Sequence, residues 1–421
     1  MKYKSIAILL LMFLLVSCGE TTVQEEEKPP MFALTDEPLA LITEPGTLPQ
    51  QVQPSGTAAA NPEETVISFA AAGDNIAHDS VVATAKAAAT GSAAYDFSGI
   101  YADIKPLISA ADLAFVNQEA PVGGAEFGIS GYPNFNAPHE MVEGLMDAGF
   151  DIFNIANNHM LDKGERGYIG TVNYFSSLPV MMVGGYTKSD YDSIRTIECK
   201  GVKIAVLAYT TLVNYGHIND IAANSKYLIP YAKDADIERQ VALAKQAADV
   251  VIVSFHWGTE DEFSVTKEQQ HFAKLCADLG VDVVLGHHPH VIGNVKWVSG
   301  ESGNQTLVAY SLGNLCSTML YGKNMVGEIL TFDIVKGKNG AISIERPLVH
   351  PVVSHYQTDT GKTDNQGLAV RYDAKVYLMK NYTDALANSH GANVWGKFSF
   401  ADLKKIVTDM TDTAFLPDFL K

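Results

Sequence analysis

Short apolar runs alternate with segments of helical periodicity from about residue 64 onward, and this alternation constrains the chain to an α/β fold. Runs rich in Val, Ile and Ala are typical of buried strands. The predicted strands are Val66–Ala72, Asp112–Asn117, Phe150–Ala156, Pro179–Val183, Ile194–Glu198, Lys203–Tyr209, Val250–Phe255, Val281–Leu285, Thr306–Tyr310, Glu328–Val335 and Ala341–Val349. The predicted helices are Ser80–Ala89, Pro138–Ala148, Gly164–Leu178, Ala232–Ala248, Thr266–Leu279 and a helical part after about Asp373. Strands that alternate with helices first and form hairpins later predict a mixed sheet or two packed sheets.

Five of these strands end in side chains that can bind a metal ion or transfer a proton. Because ligands of parallel α/β sheets bind beyond the carboxyl ends of the strands, we expect these side chains to lie together. In chain order they are Asp74 and His78, Glu119, Asn158 and His159, His256, and His288 and His290. Carboxylates, an amide and imidazoles suit Zn, Mn or Fe rather than a metal that prefers thiolates.

The fifth strand ends in the sequence Gly286-His287-His288-Pro289-His290. Gly286 allows the chain to turn away from the strand, and Pro289 stiffens the turn between His288 and His290. Two imidazoles on such a turn can face one metal pocket. The alternative is a surface turn that is rich in histidine by chance.

Each candidate residue also has a structural alternative. Asp74 could cap the following helix, Glu119 could pair with a buried cation, and His159 could bond a backbone carbonyl. Five coincidences at equivalent strand ends favour a shared site. In that site a bridging Glu119 could hold two ions that activate a water, and a spare histidine could donate a proton to the leaving group.

Six motifs in the same order carry a family resemblance: Gly-Asp74, Asn-Gln-Glu119, Ala-Asn-Asn158-His159-x-x-Asp162, His256-Trp-Gly-x-Glu260, Gly-x-His288-Pro-His290 and Tyr310-Ser-Leu-Gly-Asn314. Together they resemble the CapA family of poly-γ-glutamate capsule synthesis proteins, which is similar to the calcineurin-like metallophosphoesterases. The resemblance runs from about Val66 to about Pro351. It implies a four-layer α/β/β/α sandwich with divalent metal ions, two in number, at the strand ends.

Transferred residue by residue, the resemblance assigns roles to the strand-end side chains. It implies that one ion is held by Asp74, Glu119 and His290, and the other by Glu119, Asn158, His256 and His288. His159 takes the place of the general acid, and His287 becomes a spacer. We expect Trp257 and Glu260 to line the pocket as substrate-binding residues, with packing as the alternative for Trp257. The turn at Tyr310–Asn314 is expected to support the site from below.

Two positions depart from the metallophosphoesterase pattern. Ile76 stands where the wider superfamily has a histidine, and the next histidine is His78. Glu119 replaces the usual bridging aspartate and adds a methylene, which changes the spacing of the metals. Either His78 takes the place of the absent ligand, or the site binds one ion.

The N-terminus resembles a bacterial lipoprotein signal. Lys2 and Lys4 precede the apolar run Ile6–Val16, which is too short to span a bilayer, and the run ends at Ser17-Cys18. The resemblance implies cleavage before Cys18 and lipidation of its thiol; an ordinary signal peptide is the alternative. The expected organisation is a signal at 1–18, a disordered tether at 19–62, a CapA-type domain at 63–356 and a mostly helical extension at 357–421. The protein is therefore expected to be extracytoplasmic and anchored to the bacterial membrane.

The net charge and the cysteine content argue against several classes of partner and site. The formal net charge of −18 argues against a nucleic-acid partner, because phosphate binding needs a basic face. Cys199, Cys276 and Cys316 are far apart and predict neither a disulfide framework nor a thiolate metal site.

Three functions are consistent with these features. The first is a metal-dependent hydrolase or transferase that acts on an anionic polymer such as poly-γ-glutamate, which the ligand set and His159 favour. The second is a non-catalytic polymer-binding or assembly factor that works with capsule synthesis and export proteins, which the altered first motif and the tether favour. The third is a general phosphoesterase, which the two departures make the weakest of the three.

Overall fold

The computed structural model describes residues 64–214, 221 and 224–421. The predicted signal, the predicted lipidation site at Cys18 and the whole predicted tether lie outside these residues. In this part of the chain, no helix combines the length and apolar character needed to cross a membrane. Strands and helices are numbered below along the chain.

The first sheet has eight strands. They are β1 (Thr65–Asn75), β2 (Leu113–Gln118), β3 (Ile152–Asn154), β4 (Met181–Val183), β13 (Asn314–Cys316), β14 (Val326–Lys336), β15 (Ile342–Thr363) and β16 (Ala369–Leu378). Their order is β16-β15-β14-β1-β2-β3-β4, and β13 pairs with the end of β1. The four strands from β1 to β4 are parallel, so their carboxyl ends share one edge.

The second sheet has six strands. They are β6 (Thr196–Cys199), β7 (Val202–Thr210), β9 (Val250–His256), β10 (Val283–His287), β11 (Val295–Ser299) and β12 (Gln305–Ala309). Their order is β11-β12-β10-β9-β7-β6. Strands β7, β9, β10 and β12 run parallel, whereas the predicted hairpin of β6 and β7 is antiparallel. A separate two-stranded pair joins β5 (Tyr186–Thr187) to β8 (Tyr227–Leu228).

Helices connect the parallel strands and also follow the last strand. They are α1 (Asp79–Ala88), α2 (Ser98–Tyr101), α3 (Lys105–Ile108), α4 (His139–Ala148), α5 (Gly164–Ser176), α6 (Asp234–Ala247), α7 (Lys267–Asp278), α8 (Asp384–Ser389) and α9 (Phe400–Met410). Local sequence explains several of their ends. Thr266 and Gln269 form a capping box that begins α7, and Gly149, with a φ of 109°, ends α4 in the left-handed conformation that glycine adopts readily.

Three buried clusters explain how the elements pack. Because strand side chains alternate between faces, Phe69 of β1 packs toward Ile252 of the second sheet, while Ala70 packs toward the helices from α1 to α5. On the second sheet, Val253 faces away from Ile252 and packs with residues of α6 and α7. The two sheets thus share an inner core, and helices cover the outer face of each. The predicted α/β class with two sheets is confirmed.

The expectation of a mostly helical extension at 357–421 is wrong for its first part. Strand β15 continues to Thr363, so the boundary at residue 356 falls inside a strand, and β16 adds a further strand to the first sheet. In β16 the buried residues Ala374, Val376 and Leu378 alternate with more exposed ones, which is the period of a strand. Helices α8 and α9 do follow, and their buried side chains belong to the inner core.

Candidate metal centre

The carboxyl ends of five parallel strands from both sheets surround the candidate site. Register places Asp74 of β1 opposite Asn117 of β2, and His256 of β9 opposite His287 of β10. Glu119 follows β2 directly, and its backbone N–H donates to the carbonyl of Asn75. The strand-end residues predicted to meet are therefore carried to one edge by pairing within each sheet and by packing between the sheets.

Asp74 is fully buried and has donors on both carboxylate oxygens. Its Oδ1 accepts from Asn117 Nδ2 at 2.8 Å, and its Oδ2 accepts from the backbone N–H of His288 at 3.2 Å. Nδ1 of His287 lies 3.3 Å from Oδ1, and Nδ1 of His290 lies 3.3 Å from Oδ2. Burial alone would raise the pKa of Asp74, but His287 and His290 outweigh it and hold the pKa well below its usual value. Asp74 is therefore a carboxylate anion in the site.

Glu119 is equally buried, but neither of its carboxylate oxygens has a hydrogen-bond partner among the residues described. Its Oε1 lies 3.5 Å from His256 Nε2 and 3.6 Å from His290 Nε2. Burial, with the charge of Asp74, raises the pKa of Glu119 well above its usual value. A buried carboxylate without hydrogen bonds is costly unless a cation compensates it. Glu119 is thus a carboxylate arranged to receive a cation.

Three candidate metal-binding histidines, His256, His288 and His290, differ in charge. Burial and neighbouring charges hold the pKa of His256 well below its usual value and lower the pKa of His288 to about 3, so both rings are neutral, the form that binds metals. Burial opposes protonation of His290 as well, but Glu119 and Asp74 outweigh it and raise its pKa to about 10. A proton on His290 would offset the negative charge of the buried acidic groups, and a bound cation would replace it.

Two groups of side chains have ligand atoms close enough to hold a metal ion. One consists of Glu119, His288 and His290, and the other of Asp74, Glu119 and His256; within each, the ligand atoms lie within 4.8 Å of one another. Glu119 belongs to both, as a bridging carboxylate would. The groups divide the histidines differently from the assignment that the resemblance implied, which stays a prediction.

Asn158 extends the second group across the two sheets. Its Oδ1 lies 3.0 Å from His256 Nε2, the atom that also faces Glu119 Oε1. This spacing is that of a hydrogen bond, and it is also short enough for one ion to bind both atoms at about 2.1 Å. Nδ1 of His288 also has no hydrogen-bond partner within the described ranges. The oxygen and nitrogen donor set fits a divalent ion.

The loop that carries His288 and His290 is held in an uncommon conformation. The φ angles of the two residues are 99° and 56°, values that residues other than glycine rarely adopt. Asn314 fixes this loop because its Oδ1 lies 3.0 Å from His290 Nδ1 and its Nδ2 donates to the His290 carbonyl at 3.3 Å. Asn314 ends the turn that was expected to support the site.

His159 lies beside the metal ligands and has a carboxylate partner. Its Nδ1 is 2.7 Å from Oδ2 of Asp162, and its ring meets the edge of Phe135 at 4.6 Å between centroids. The same Asp162 oxygen accepts from the Phe135 backbone N–H at 2.7 Å. Because an ionised carboxylate only accepts, it holds the hydrogen on Nδ1 of His159 and leaves Nε2 for a second partner.

The remaining predicted site residues have separate positions. His78 belongs to neither metal group: its Nδ1 accepts from the Thr318 backbone N–H at 3.3 Å. Trp257 is fully buried, stacks on Phe255 at 4.5 Å between ring centroids and belongs to the cluster between the second sheet and helices α6 and α7. It therefore has the packing role and does not line the pocket. Glu260 is exposed, and its charge acts on Glu119 and His290.

Several residues of the site were not identified from the sequence. Asn117 binds Asp74, His287 approaches Asp74, and Asn214 contacts both Asn158 and His159. Asn117 precedes Glu119 by two residues and could have been found from strand alternation. Asn214 lies in a segment without periodicity, which gave no signal.

The fold and the site together define an α/β protein of two packed sheets with a candidate metal centre at the strand ends. Residues 68–319, more than half of the chain, match the family described as bacterial capsule synthesis protein PGA_cap. The chain belongs to this family of bacterial capsule synthesis proteins.

Individual relatives are similar over part of their length. The PGA biosynthesis protein CapA of Bacillus subtilis is 29% identical over 60% of this chain and 65% of its own length. The capsule biosynthesis protein CapA of Bacillus anthracis is 32% identical over 43% of each chain. The chain thus spans less than two thirds of either relative. Among solved structures, the NAD nucleotidase of Haemophilus influenzae has a TM-score of 0.41 and 13% identity, covering 85% of this chain and 58% of that one.

Proposed function

We propose that the protein is a metal-dependent hydrolase or transferase that acts on an anionic polymer of the poly-γ-glutamate type. The observation that carries the proposal is Glu119, a fully buried carboxylate without hydrogen bonds from the described residues, set between His256 and His290. The names of the two relatives, which refer to PGA and capsule biosynthesis, support the choice of polymer.

The metal ligands and His159 would have distinct roles. Divalent ions held at Asp74, Glu119, Asn158 and the histidines, two ions if Glu119 bridges them, would supply Lewis-acid activation of water and neutralise charge that develops on the substrate. Their identity as Mn, Zn or Fe is part of the proposal. Bound ions would also offset the formal net charge of −18 locally, which would let a polyanion approach.

His159 would transfer the proton. With Nδ1 bonded to Asp162, its Nε2 is the nitrogen that would give a proton to the leaving group. The Asp162 carboxylate would stabilise the charged imidazolium before the transfer and keep the ring in the required orientation afterwards.

Incubating the purified protein with poly-γ-glutamate tests the catalytic part. We expect polymer chain length to change in the presence of a divalent metal and to stay constant with His159→Ala at equal metal content. Bound metal with unchanged polymer, together with no cellular effect of His159→Ala, would contradict catalysis.

A non-catalytic polymer-binding or assembly factor that works with capsule synthesis and export proteins is the second candidate. One contact favours it: His78, the next histidine after Ile76, accepts a backbone hydrogen bond from Thr318 and belongs to neither metal group. Polymer that binds with metal and remains intact would support this candidate. A general phosphoesterase is the weakest candidate, and hydrolysis of an aryl phosphate that Asn158→Ala abolishes would support it.

We also propose that the protein is an extracytoplasmic lipoprotein anchored through Cys18. Mass spectrometry of the mature N-terminal peptide tests this directly: a lipid adduct on Cys18 supports it, and an unmodified peptide that begins elsewhere contradicts it. Cys18→Ala is expected to release the protein from the membrane fraction.

A further inference from the structure

Asn214 lies in the segment after β7 and contacts two adjacent residues of the candidate site. Its backbone N–H donates to the Asn158 carbonyl at 2.9 Å, and its Oδ1 accepts from Asn158 Nδ2 at 3.2 Å. Its own Nδ2 lies 3.2 Å from Nδ1 and 3.3 Å from Nε2 of His159. One side chain therefore contacts both the amide and the imidazole of the pair.

The Asn158 amide can face the metal site in two orientations, and only one of them allows it to bind a metal ion. Its oxygen can bind a metal ion, whereas its NH₂ group cannot. In the structure Oδ1 faces His256 Nε2, and Nδ2 faces Asn214 Oδ1. Such an orientation is set by the hydrogen-bond network around the amide.

Asn214 sets this orientation through its amide oxygen. Its Nδ2 lies almost equally far from Nδ1 and Nε2 of His159, so the NH₂ group approaches the face of the ring, and its Oδ1 faces Nδ2 of Asn158. An amide oxygen only accepts, so it pairs with the NH₂ group of Asn158 and leaves the Asn158 oxygen directed at His256.

The backbone of the same segment also holds the opposite side of the site. The Thr211 N–H donates to the His256 carbonyl at 2.9 Å, three residues before Asn214 bonds the Asn158 carbonyl. His256 belongs to the second sheet, and Asn158 follows β3 of the first sheet. The segment Thr211–Asn214 thus connects the two sheets where their candidate ligands meet.

We propose that Asn214 is a positioning residue that turns the Asn158 amide oxygen toward the metal ion. The inference rests on the proposed function only in that Asn158 is a metal ligand there. Asn214 touches neither metal nor substrate in this role.

Co²⁺ binding to the purified full chain tests the proposal, because the visible absorption of Co²⁺ reports its ligands as well as its affinity. Asn214→Leu and Asn214→Ala remove the acceptor, whereas Asn214→Asp keeps an acceptor for Asn158 Nδ2. Leu212→Ala, two residues earlier, is the control for disturbing the segment. Circular dichroism confirms that each variant is folded.

We expect Asn214→Leu and Asn214→Ala to bind Co²⁺ at least about tenfold more weakly and with altered absorption, as loss of a residue that orients a ligand does elsewhere. Asn214→Asp and Leu212→Ala are expected to bind no more weakly than the wild type. Equal weakening by all three Asn214 variants, or wild-type binding by Asn214→Leu and Asn214→Ala, overturns the inference.

The metal measurement separates this inference from the proposed function. A wild-type chain that binds no Co²⁺ contradicts both. The expected pattern of Co²⁺ affinities without any change in poly-γ-glutamate supports the role of Asn214 and contradicts only the catalytic part.

Discussion

Nε2 of His256 lies 3.0 Å from Oδ1 of Asn158, although one residue ends a strand of the second sheet and the other follows a strand of the first. The candidate metal centre is therefore built by the packing of two sheets, and neither sheet contains it alone. Both sheets contribute buried apolar residues to the inner core beside this contact. Metal binding is expected to stabilise the packing of the sheets, because only the folded chain presents the ligands together.

Replacing His256 tests the cross-sheet ligand set. His256→Ala removes a buried, neutral ring next to Glu119, so we expect metal affinity to fall at least about tenfold. Elemental analysis and calorimetric titration measure the change. His271→Ala, which removes an exposed histidine on α7, is the matched control and should bind metal as the wild type does. Equal metal content in both variants would exclude His256 from the site.

The strand ends were predictable because strand periodicity and parallel pairing are local rules. Once β1 and β2 are parallel neighbours, Asp74 and Glu119 must lie at one edge. Asn214 was not predictable in this way, since its contacts depend on how an irregular segment crosses between the sheets. Strand β16 was predictable from its alternation at Ala374 and Val376, and the prediction of helix from about Asp373 is wrong as far as Leu378.

Replacing Asp162 tests whether His159 transfers a proton. Asp162→Asn loses the carboxylate that holds the hydrogen on Nδ1, so the ring can adopt the other tautomer and its imidazolium form loses its partner. We expect polymer cleavage to fall by roughly 10²-fold or more while metal affinity stays within about threefold of the wild type. Asp147→Asn, at an exposed position paired with Lys105, should leave cleavage unchanged. A normal rate for Asp162→Asn would show that the pair has no part in proton transfer.

Glu328 gives a pH-dependent stability that is independent of the metal site. It is buried on β14, and its Oε1 accepts from Thr411 Oγ1 at 2.6 Å. Burial raises the pKa of Glu328 to about 8, so the folded chain keeps a proton that the unfolded chain releases near its usual pKa of 4.5. Glu328 therefore makes its full contribution to the free energy of unfolding below about pH 4.5, and this contribution is lost as the pH rises from about 4.5 to about 8.

Glu328→Gln is expected to remove that dependence, since glutamine keeps an acceptor for Thr411 and carries no charge. Urea denaturation at pH 5 should give similar free energies of unfolding for the variant and the wild type. At pH 8.5 the variant should be more stable, by on the order of a few kcal/mol. Glu345→Gln, at a half-exposed position, should show no such divergence. Parallel pH curves for Glu328→Gln and the wild type would mean that Glu328 is ionised in the folded chain.

Replacing Gly286 tests whether the loop of His288 and His290 depends on the close approach of the Gly286 backbone to the Tyr310 backbone. A Cβ at this position would lie 2.2 Å from the carbonyl oxygen of Tyr310, and backbone cannot yield as a flexible side chain can. We expect Gly286→Ala to destabilise the chain by roughly 1–3 kcal/mol and to weaken metal binding by displacing His288. Gly99→Ala is the control, because a Cβ there meets nothing within 4 Å and the residue lies in helix α2. Since alanine favours helices, the control should be as stable as the wild type or slightly more so. If Gly286→Ala were as stable as Gly99→Ala and bound metal normally, the loop would not depend on this approach to Tyr310.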